Sequence, residues 1–228
     1  MHAVTISREY GSGGRTVGYK VAKKLGYAFI DHALIVSVAR KAKVPVSTVE
    51  ELDEQPEPPM RRMLKKALLP EGGEAVFGGW HEGWHAYPFY PALPEGEGPP
   101  PLDEDRCVDM IREDIQQTAR EGNAVFVGRG AQAVLAVTKA LHVRISAPRE
   151  YRITTAIERD GLSRAQACKQ LRTIDALRQR YLKRHHGIDW DDHQHYHLCL
   201  NTGQLGVDGA VDLIAAAVRV QEVHHAGR

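Results

Sequence analysis

A run of four small residues near the start of the chain, Gly11-Ser12-Gly13-Gly14, constrains the fold more than any other feature. It follows a short β-rich run, Ala3–Ser7, and it precedes Arg15–Leu25, whose apolar residues are spaced along one face of a helix. A glycine loop between a strand and a helix can bind phosphate, because its N–H groups point inward and the helix N-terminus adds partial positive charge. The alternative is a tight turn that binds no ligand.

This loop departs from the P-loop pattern GxxxxGK[ST]. When Gly13 is laid on the second glycine of that pattern, Arg8 stands at the first glycine, Gly14 at the lysine and Arg15 at the Ser or Thr. Thr16 comes one residue late, and its hydroxyl is the predicted contact for Mg²⁺. Arg8 and Arg15 flank the loop and are the candidates for the missing cation, because a guanidinium donates in a planar fork that fits phosphate.

Short apolar runs alternate with helical patterns along the rest of the chain. The predicted strands after the first are Tyr27–Asp31, Ala124–Val127, Ala140–Ser146 and Tyr196–Asn201. The predicted helices are Leu34–Lys43, Ser47–Asp53 with Ser47 as its cap, Asp105–Arg120, Arg149–Arg159, most of Arg164–Arg184, and Val207–Val220. Strands separated by helices indicate βαβ units and therefore a parallel sheet.

The stretch 55–104 has a different character from the rest of the chain. Prolines cluster towards both of its ends, and Trp80 and Trp84 lie between them. A long segment with little regular pattern is typical of an insertion. Because aromatic rings are costly to leave in water, we expect the segment to pack on something and to form a lid beside a substrate. A mobile loop and a contact between the subunits of a homodimer are the alternatives.

Charge and composition exclude several classes of protein. The 228 residues carry 30 Lys and Arg against 29 Asp and Glu, a formal net charge of +1, which argues against nucleic-acid binding through bulk charge. The sequence contains no run of about 18 apolar residues, so it predicts no transmembrane helix, and the N-terminus lacks the pattern of a signal peptide. The cysteines are too far apart for a CxxC motif: Cys107, Cys168 and Cys199. We therefore expect a cytoplasmic protein with reduced thiols and no membrane partner.

Several arginines are candidates for contacts with phosphate. Arg129 follows the apolar run Ala124–Val127, at the carboxyl end of a predicted strand, where α/β sheets bind ligands. Asp175 and Arg178 share a face of one predicted helix, and Arg172 lies three residues before Asp175. Converging arginines suit phosphoryl transfer, which depends on positioning and charge neutralisation. The alternatives are an exposed arginine in a turn and a solvated helix with ion pairs between its own residues.

The chain has twelve histidines. His193, His195 and His197 alternate and would share one face of a strand, an arrangement that can bind a metal ion. Since no acidic residue or cysteine completes a zinc spacing, we do not predict a transition-metal centre there.

Five segments together resemble one known family: TISREYGSGGRTVGYKVAKKLGYAFIDHALI, VGRGA, SAPREYRI, IDALRQRYLKRHHGIDW and YHLCLNTGQLG. They are similar to the cytidylate kinase-like family, relatives of the P-loop nucleoside monophosphate kinases. The resemblance covers most of the chain outside 55–104. It implies a single α/β domain over 1–228, with the three-layer P-loop nucleoside monophosphate kinase-like fold, a five-stranded parallel sheet and a helical lid at about 160–190.

The resemblance also implies a function and a set of site residues. The implied reaction is phosphoryl transfer from ATP with Mg²⁺ to a (deoxy)cytidine monophosphate-like nucleotide. The residues implied to bind the ATP phosphates are Arg8, Gly11, Ser12, Gly13, Gly14, Arg15 and Thr16, with Thr16 also at the metal. Those implied to bind the acceptor are Asp31, Arg129 and Arg172, and the catalytic residues are Arg15, Arg129, Asp175 and Arg178.

Three departures from the cytidylate kinases leave an alternative open. The P-loop lysine is absent, Gly130 replaces the Asp of Gly-Arg-Asp, and His32-Ala33 replaces the Thr-Gly of Asp-Thr-Gly. A catalytically weak or inactive module that binds nucleotide or another anion is therefore the alternative function. Asp31 has a second interpretation as the cap of the helix that follows it, because aspartate is a favoured cap residue.

Overall fold

The computed structural model of the protein describes residues 2–53 and 102–226, and its centre is a five-stranded parallel sheet. The strands are β1 (Ala3–Arg8), β2 (Ala28–Ile30), β3 (Ala124–Val127), β4 (Leu141–Ser146) and β5 (Leu198–Asn201). Their order across the sheet is β2-β3-β1-β4-β5. The first strand is central, with Ile6 opposite Val127 of β3 and Val143 of β4. The sequence-based prediction of a five-stranded parallel sheet is confirmed.

Helices connect the strands and cover the sheet. Those of the described residues are α1 (Gly14–Leu25), α2 (Ala33–Ala42), α3 (Val46–Asp53), α4 (Glu104–Glu121), α5 (Ala131–Val134), α6 (Arg149–Asp160), α7 (Arg164–His186) and α8 (Thr202–Ala226). A short 3-10 helix, His193–His195, precedes β5. None of these helices, within 2–53 and 102–226, is both long and apolar enough to cross a membrane.

Two apolar cores fill the space between the sheet and the helices on its two faces. On one face, Phe126 of β3 packs with Ile35 of α2 and Ile111 of α4. On the other face, Val125 of β3 packs in a cluster with Val17 of α1. Because side chains alternate along a strand, consecutive residues of β3 serve opposite cores, and all four residues of the strand are buried. The result is a three-layer arrangement with the carboxyl ends of β1 and β3 side by side.

Several predicted boundaries were wrong. Ser47 does not cap α3, since the helix begins one residue earlier, and the N–H of Thr48 bonds to the carbonyl of Pro45 over 3.0 Å. The last strand begins at Leu198 rather than Tyr196, because the N–H of Tyr196 bonds to the carbonyl of His193 over 3.0 Å and closes the 3-10 helix His193–His195. The last helix includes Thr202, and it bends at Gly206, whose φ of 68° and ψ of 168° are not helical.

Two segments were predicted to form lids, 55–104 and about 160–190, and the structure describes the second in full but only the last residues of the first. The segment 160–190 is mostly α7, whose first turn is closed by a capping box between Ser163 and Gln166. Trp80 and Trp84, on which the prediction of a packed lid rests, lie outside the described residues. Leu102 at the end of that stretch is buried, and Asp103 caps α4 by accepting from the N–H of Arg106 over 2.8 Å.

Candidate active site

The glycine loop leaves the central strand β1 and turns directly into α1. Gly11 and Gly13 have φ values of 77° and 74°, a conformation that favours glycine. A β-carbon at Gly11 would also lie 2.6 Å from the carbonyl oxygen of Arg152 in α6. The glycines therefore permit both the turn and the close approach of α6. Gly13 precedes the first residue of α1, so the first N–H groups of the helix have no partner within it and can bind an anion.

Ser12 is fully buried, and its side chain faces the body of the protein. Its Oγ donates to the carbonyl of Glu9 over 2.8 Å, and its own carbonyl accepts from Oγ1 of Thr202 over 2.6 Å. Thr202 stands at the start of α8 and donates also towards the carbonyl of Ser146 at 3.2 Å. These contacts fix the loop from behind, so any contact of Ser12 with phosphate must come from its backbone.

A buried ionic network holds the other side of the loop. Glu9 lies 3.4 Å from Nη1 of Arg152, whose Nε donates to the carbonyl of Tyr10 over 2.7 Å. Arg152 also bonds to Asp175 of α7, and Asp175 accepts from the N–H of Tyr10 over 2.8 Å. The side chains of Arg152 and Asp175 are 10% and 19% exposed, so both charges are largely out of water. Asp175 is thereby tied to the loop itself.

Arg144 of β4 extends this network towards the segment after α7. It bonds to Asp191 over 2.6 Å and to the carbonyl of Trp190 over 2.7 Å, and it lies 3.9 Å from Glu9. Its guanidinium also stacks over the ring of Trp190, 4.2 Å from the ring centre. Glu9 thus lies between two arginines, and its carboxylate links the loop to β4 and α6.

Two further arginines meet at the carboxyl ends of β1 and β3. The side chain of Arg8 lies across Gly128, where a β-carbon would be 2.8 Å from Cζ of Arg8. Arg129 is the next residue and has a positive φ of 57°. Burial lowers the pKa of Arg129, and the nearby charge of Arg8 lowers it further, while Tyr181 and Asp31 oppose this effect. The Arg8 guanidinium thus lies over Gly128, the residue before Arg129, and positive charges at neighbouring strand ends can attract a multiply charged anion.

The end of α7 covers the Arg129 side of this site. A β-carbon at Gly130 would lie 2.8 Å from Cε1 of His186, so the imidazole occupies the space above the glycine. Burial lowers the pKa of His186 to about 4. Burial also raises the pKa of Tyr181, one turn earlier, to about 12, and the charge of Arg129 counteracts this. At neutral pH both groups are uncharged and polar.

Arg15 and Asp31 form a pair at the edge of the loop. Nε of Arg15 lies 2.6 Å from Oδ2 of Asp31, and the two side chains are 51% and 12% exposed. Asp31 does not cap the next helix, because the residue at that position is His32, with no side-chain cap. Thr16 is half-buried in the first turn of α1.

The predicted arginines of α7 have different positions. Arg178 donates from Nη1 to the carbonyl of Arg8 over 2.9 Å, which anchors the end of β1. Arg172 is exposed. The structure therefore gathers one group around the loop and the ends of β1 and β3: Arg8, Gly11, Ser12, Gly13, Gly14, Arg129, Asp175 and Arg178. The pair Arg15 and Asp31 borders this group, and Arg172 points to solvent on α7.

Sequence reasoning missed Glu9, Arg144, Thr202, Tyr181 and His186. Glu9 and Thr202 belong to segments singled out for the resemblance, SREYG and NTG, but nothing local in the sequence shows their partners. The histidine series is not an alternating strand face, since two of its members lie in a 3-10 helix. Across the described part of the chain, no group of three or more His, Cys, Asp or Glu is placed to bind a metal ion.

The fold and the site define a class. The glycine loop connects the central strand of a five-stranded parallel sheet to a helix, and arginines lie at the strand ends. This is the P-loop kinase-like arrangement. The chain belongs to the Cytidylate kinase-like family, whose sequence profile matches residues 3–204.

Two curated proteins are similar to part of the chain. A cytidylate kinase from Methanocaldococcus jannaschii is 27% identical over 105 residues, which cover 45% of this chain and 59% of that protein. A uronate isomerase from Corynebacterium glutamicum is 29% identical over 103 residues, which cover 44% of this chain and 20% of that protein. The chain thus spans less than two thirds of the length of either relative.

A similar fold occurs in a solved structure. An uncharacterized protein from Eubacterium ventriosum matches with a TM-score of 0.64 and 18% identity, over 96% of this chain and 99% of that one. A shikimate kinase from Bacteroides thetaiotaomicron matches with a TM-score of 0.47 and 13% identity, over 98% of each chain. At these identities the likeness concerns the fold alone.

Proposed function

We propose that the protein transfers a phosphoryl group from ATP to a (deoxy)cytidine monophosphate-like nucleotide. The observation that carries this proposal is the position of the Arg8 side chain, which starts beside the glycine loop and ends over Gly128, the residue before Arg129. Phosphoryl transfer needs the donor and acceptor phosphates held together with their charge neutralised, and it needs little covalent chemistry from the protein. Membership of the Cytidylate kinase-like family supports the same reaction class.

In this proposal the ATP phosphates lie on the loop. The N–H groups of Gly13, Gly14 and Arg15 surround the start of α1, where the helix dipole favours negative charge. Asp175 and Arg152 keep the loop in shape through Tyr10. Asp175 is therefore a positioning residue, since both of its carboxylate oxygens already accept hydrogen bonds from the protein.

The acceptor lies on the Arg129 side. Its phosphate binds Arg129, and its base is directed towards α7, where Tyr181 and His186 provide neutral polar groups. The acceptor phosphate is already an anion, so no general base is required. Asp31 and Arg172 remain predicted acceptor contacts: Asp31 is held by Arg15, and Arg172 is exposed and would have to move inward.

Mg²⁺ fits this site when ATP provides most of its ligands. Magnesium ions prefer oxygen and commonly bind through one or two protein groups, several waters and substrate phosphates. Thr16 offers a hydroxyl in the first turn of α1. Asp31 offers a carboxylate nearby, because it is paired with Arg15, the residue before Thr16. When bound, the ion would neutralise charge on the transferred phosphate.

Two contacts favour the alternative, a module that binds nucleotide without transferring phosphate. The N–H of Tyr10 in the loop is bonded to Asp175, and the side chain of Arg15 is bonded to Asp31. Groups that a P-loop kinase would direct at phosphate are thus used within the protein. Binding would survive this arrangement, whereas transfer would be slow.

Turnover distinguishes the two functions. We expect ADP formation from ATP to depend on an added nucleoside monophosphate, with CMP and dCMP better than UMP, AMP and GMP. Nucleotide binding by calorimetry, without acceptor-dependent ADP formation, would establish the binding module instead. A crystal soaked with ADP should show phosphate oxygens within hydrogen-bond reach of the amides of Gly13 and Gly14.

Three expectations from the sequence stay predictions. They are a cytoplasmic location, a single domain over 1–228, and an insertion at 55–104 that closes over the acceptor, with a homodimer contact as the alternative role of the insertion. The insertion falls almost wholly outside the described residues. Hydrogen exchange tests its role: protection within 78–90 that appears only with nucleotide supports a lid, and protection that follows protein concentration supports a subunit contact.

A further inference from the structure

Gly14 is a glycine for a steric reason. It is the first residue of α1, the position at which the P-loop pattern has its lysine. Its φ is not positive, unlike those of Gly11 and Gly13, so its backbone conformation would accept any residue. A β-carbon there would overlap Cβ of Arg8 and lie 3.0 Å from Cγ of Arg8. The stem of Arg8 therefore fills the space from which a lysine at position 14 would start.

A second glycine makes room for the other end of the same side chain. Gly128 follows β3, and a β-carbon on it would overlap Nη1 of Arg8 and lie 3.1 Å from Nη2. Two glycines far apart in sequence thus leave a channel for one arginine, from the start of α1 to the end of β3. The backbone of Arg8 is also held, because its carbonyl accepts from Nη1 of Arg178 over 2.9 Å.

We propose that Arg8 takes the place of the missing P-loop lysine and binds the phosphates of ATP at the point of transfer. This inference rests on the proposed function and deepens it. Arg15, the other candidate, extends instead to Asp31 and is half exposed. Arg8 ends over Gly128, the residue before Arg129, so the transferred group would lie between one arginine from the donor side and one from the acceptor side.

The transfer step needs no proton from Arg8. An oxygen of the acceptor phosphate forms a bond to the γ-phosphorus, and the bond from that phosphorus to the β,γ-bridging oxygen breaks. The electron pair of the broken bond leaves with ADP. Arg8 donates hydrogen bonds to the phosphoryl oxygens throughout and stays charged, because an arginine guanidinium does not deprotonate in proteins.

A pair of substitutions, Gly14→Lys and Arg8→Gly, tests whether Arg8 fills the space that the P-loop lysine would need. Gly14→Lys alone should lower the urea midpoint of unfolding, because the new side chain overlaps Arg8. Adding Arg8→Gly should restore at least half of that loss and return measurable ATP affinity, since the double variant has the ordinary glycine and lysine of the motif. Additive effects of the two substitutions on the midpoint would overturn the steric argument.

Affinity and turnover test the chemical role separately. Arg8→Gln, which keeps much of the stem, should weaken ATP binding by roughly 10- to 150-fold, the value of one charge-assisted contact, and should weaken AMP binding much less. Arg219→Gln, at an exposed arginine of α8, is the matched control and should change neither affinity. Circular dichroism and the urea midpoint check that Arg8→Gln still folds.

The two proposals fail differently. If the wild type binds ATP but forms no ADP with any nucleoside monophosphate, the proposed function is wrong, and weaker ATP binding by Arg8→Gln still supports the assignment of Arg8. If the wild type turns over and Arg8→Gln keeps both its ATP affinity and its kcat, the function stands and Arg8 is not the replacement for lysine. Failure of the wild type to bind ATP overturns both.

Discussion

Nε of Arg15 lies 2.6 Å from Oδ2 of Asp31, so the arginine that follows the glycine loop is paired with the residue at the end of β2. The pair spans the gap between the loop and the second strand. Since half of the Arg15 side chain is exposed, its charge is well solvated before any ligand arrives. This arrangement separates the two arginines that flank the loop, because the side chain of Arg8 extends instead to Gly128, just after β3.

Arg15→Ala should therefore lower the affinity for ATP less than Arg8→Gln does. Because the Arg15 guanidinium is already paired with Asp31 and its side chain is half exposed, we expect ATP affinity to fall less than about tenfold. Calorimetric titration with ATP measures the difference, with Arg106→Ala, at an exposed residue of α4, as the control. A loss for Arg15→Ala equal to that for Arg8→Gln would make Arg15 a phosphate ligand after all.

Asp175→Ala should destabilise the protein by about 3 kcal/mol, because it removes one of the carboxylates paired with the buried guanidinium of Arg152 and leaves the N–H of Tyr10 without its acceptor. Asp208→Ala is the matched control. Asp208 pairs with Lys20 over 2.7 Å but is 83% exposed, so its loss should cost less than about 1 kcal/mol. Urea unfolding measures the loss of stability in each variant. Equal losses would show that the network around Glu9 contributes little to the free energy of unfolding.

Stability should fall in mild acid because of His142. Burial, and then the neighbouring His197, lower the pKa of His142 from 6.5 to about 4. The unfolded chain therefore binds a proton that the folded chain refuses, and the free energy of unfolding decreases as pH falls from about 6.5 towards 4. The slope is about 1.4 kcal/mol per pH unit, or about 3 kcal/mol over the window.

Variants identify the group responsible for that slope. His142→Gln should reduce it, while His193→Gln, at an exposed histidine of the 3-10 helix, should leave it unchanged. Unfolding midpoints measured from pH 4 to 7 give both slopes. His186, whose pKa is also lowered to about 4, should account for part of the slope that remains. An unchanged slope in His142→Gln would contradict the assignment.

Gly130→Ala should cost more stability than Gly161→Ala. The φ values of the two glycines are 67° and 66°, so both substitutions introduce the same backbone strain of about 1 kcal/mol. A β-carbon at Gly161 meets nothing within 4 Å, whereas one at Gly130 meets His186. The excess cost should disappear when His186→Ala is added to Gly130→Ala. Thermal unfolding measures this, and equal costs for the single variants would mean that His186 moves aside freely.

The sequence was sufficient to predict the loop region because its determinants are local. Gly11 and Gly13 bend the chain where the β-rich run stops and the helical spacing starts. The same logic correctly predicted four more parallel strands, since predicted helices separate most of the apolar runs, although the short helix Ala131–Val134 was missed. Fold prediction therefore depended on patterns that extend over a few residues.

The internal contacts of the site were not predictable in this way. Ser12 was expected at the phosphates, but its hydroxyl bonds to Glu9, and its carbonyl accepts from Thr202. Asp31 was expected either at the acceptor or as a helix cap, and it pairs with Arg15. In each case the partner is chosen by three-dimensional packing, and the residue type permits several partners with similar energies.

The hydrogen bond from the N–H of Tyr10 to Asp175 joins residues 165 positions apart, and that from Thr202 to the carbonyl of Ser12 joins residues 190 apart. Contacts over such separations form only after long loops have closed. A ribosome that has released only β1 and α1 has therefore made the glycine loop without the groups that shape it. The hydrogen bonds that hold the loop to α7 and α8 can form only after synthesis has reached Asp175 and Thr202.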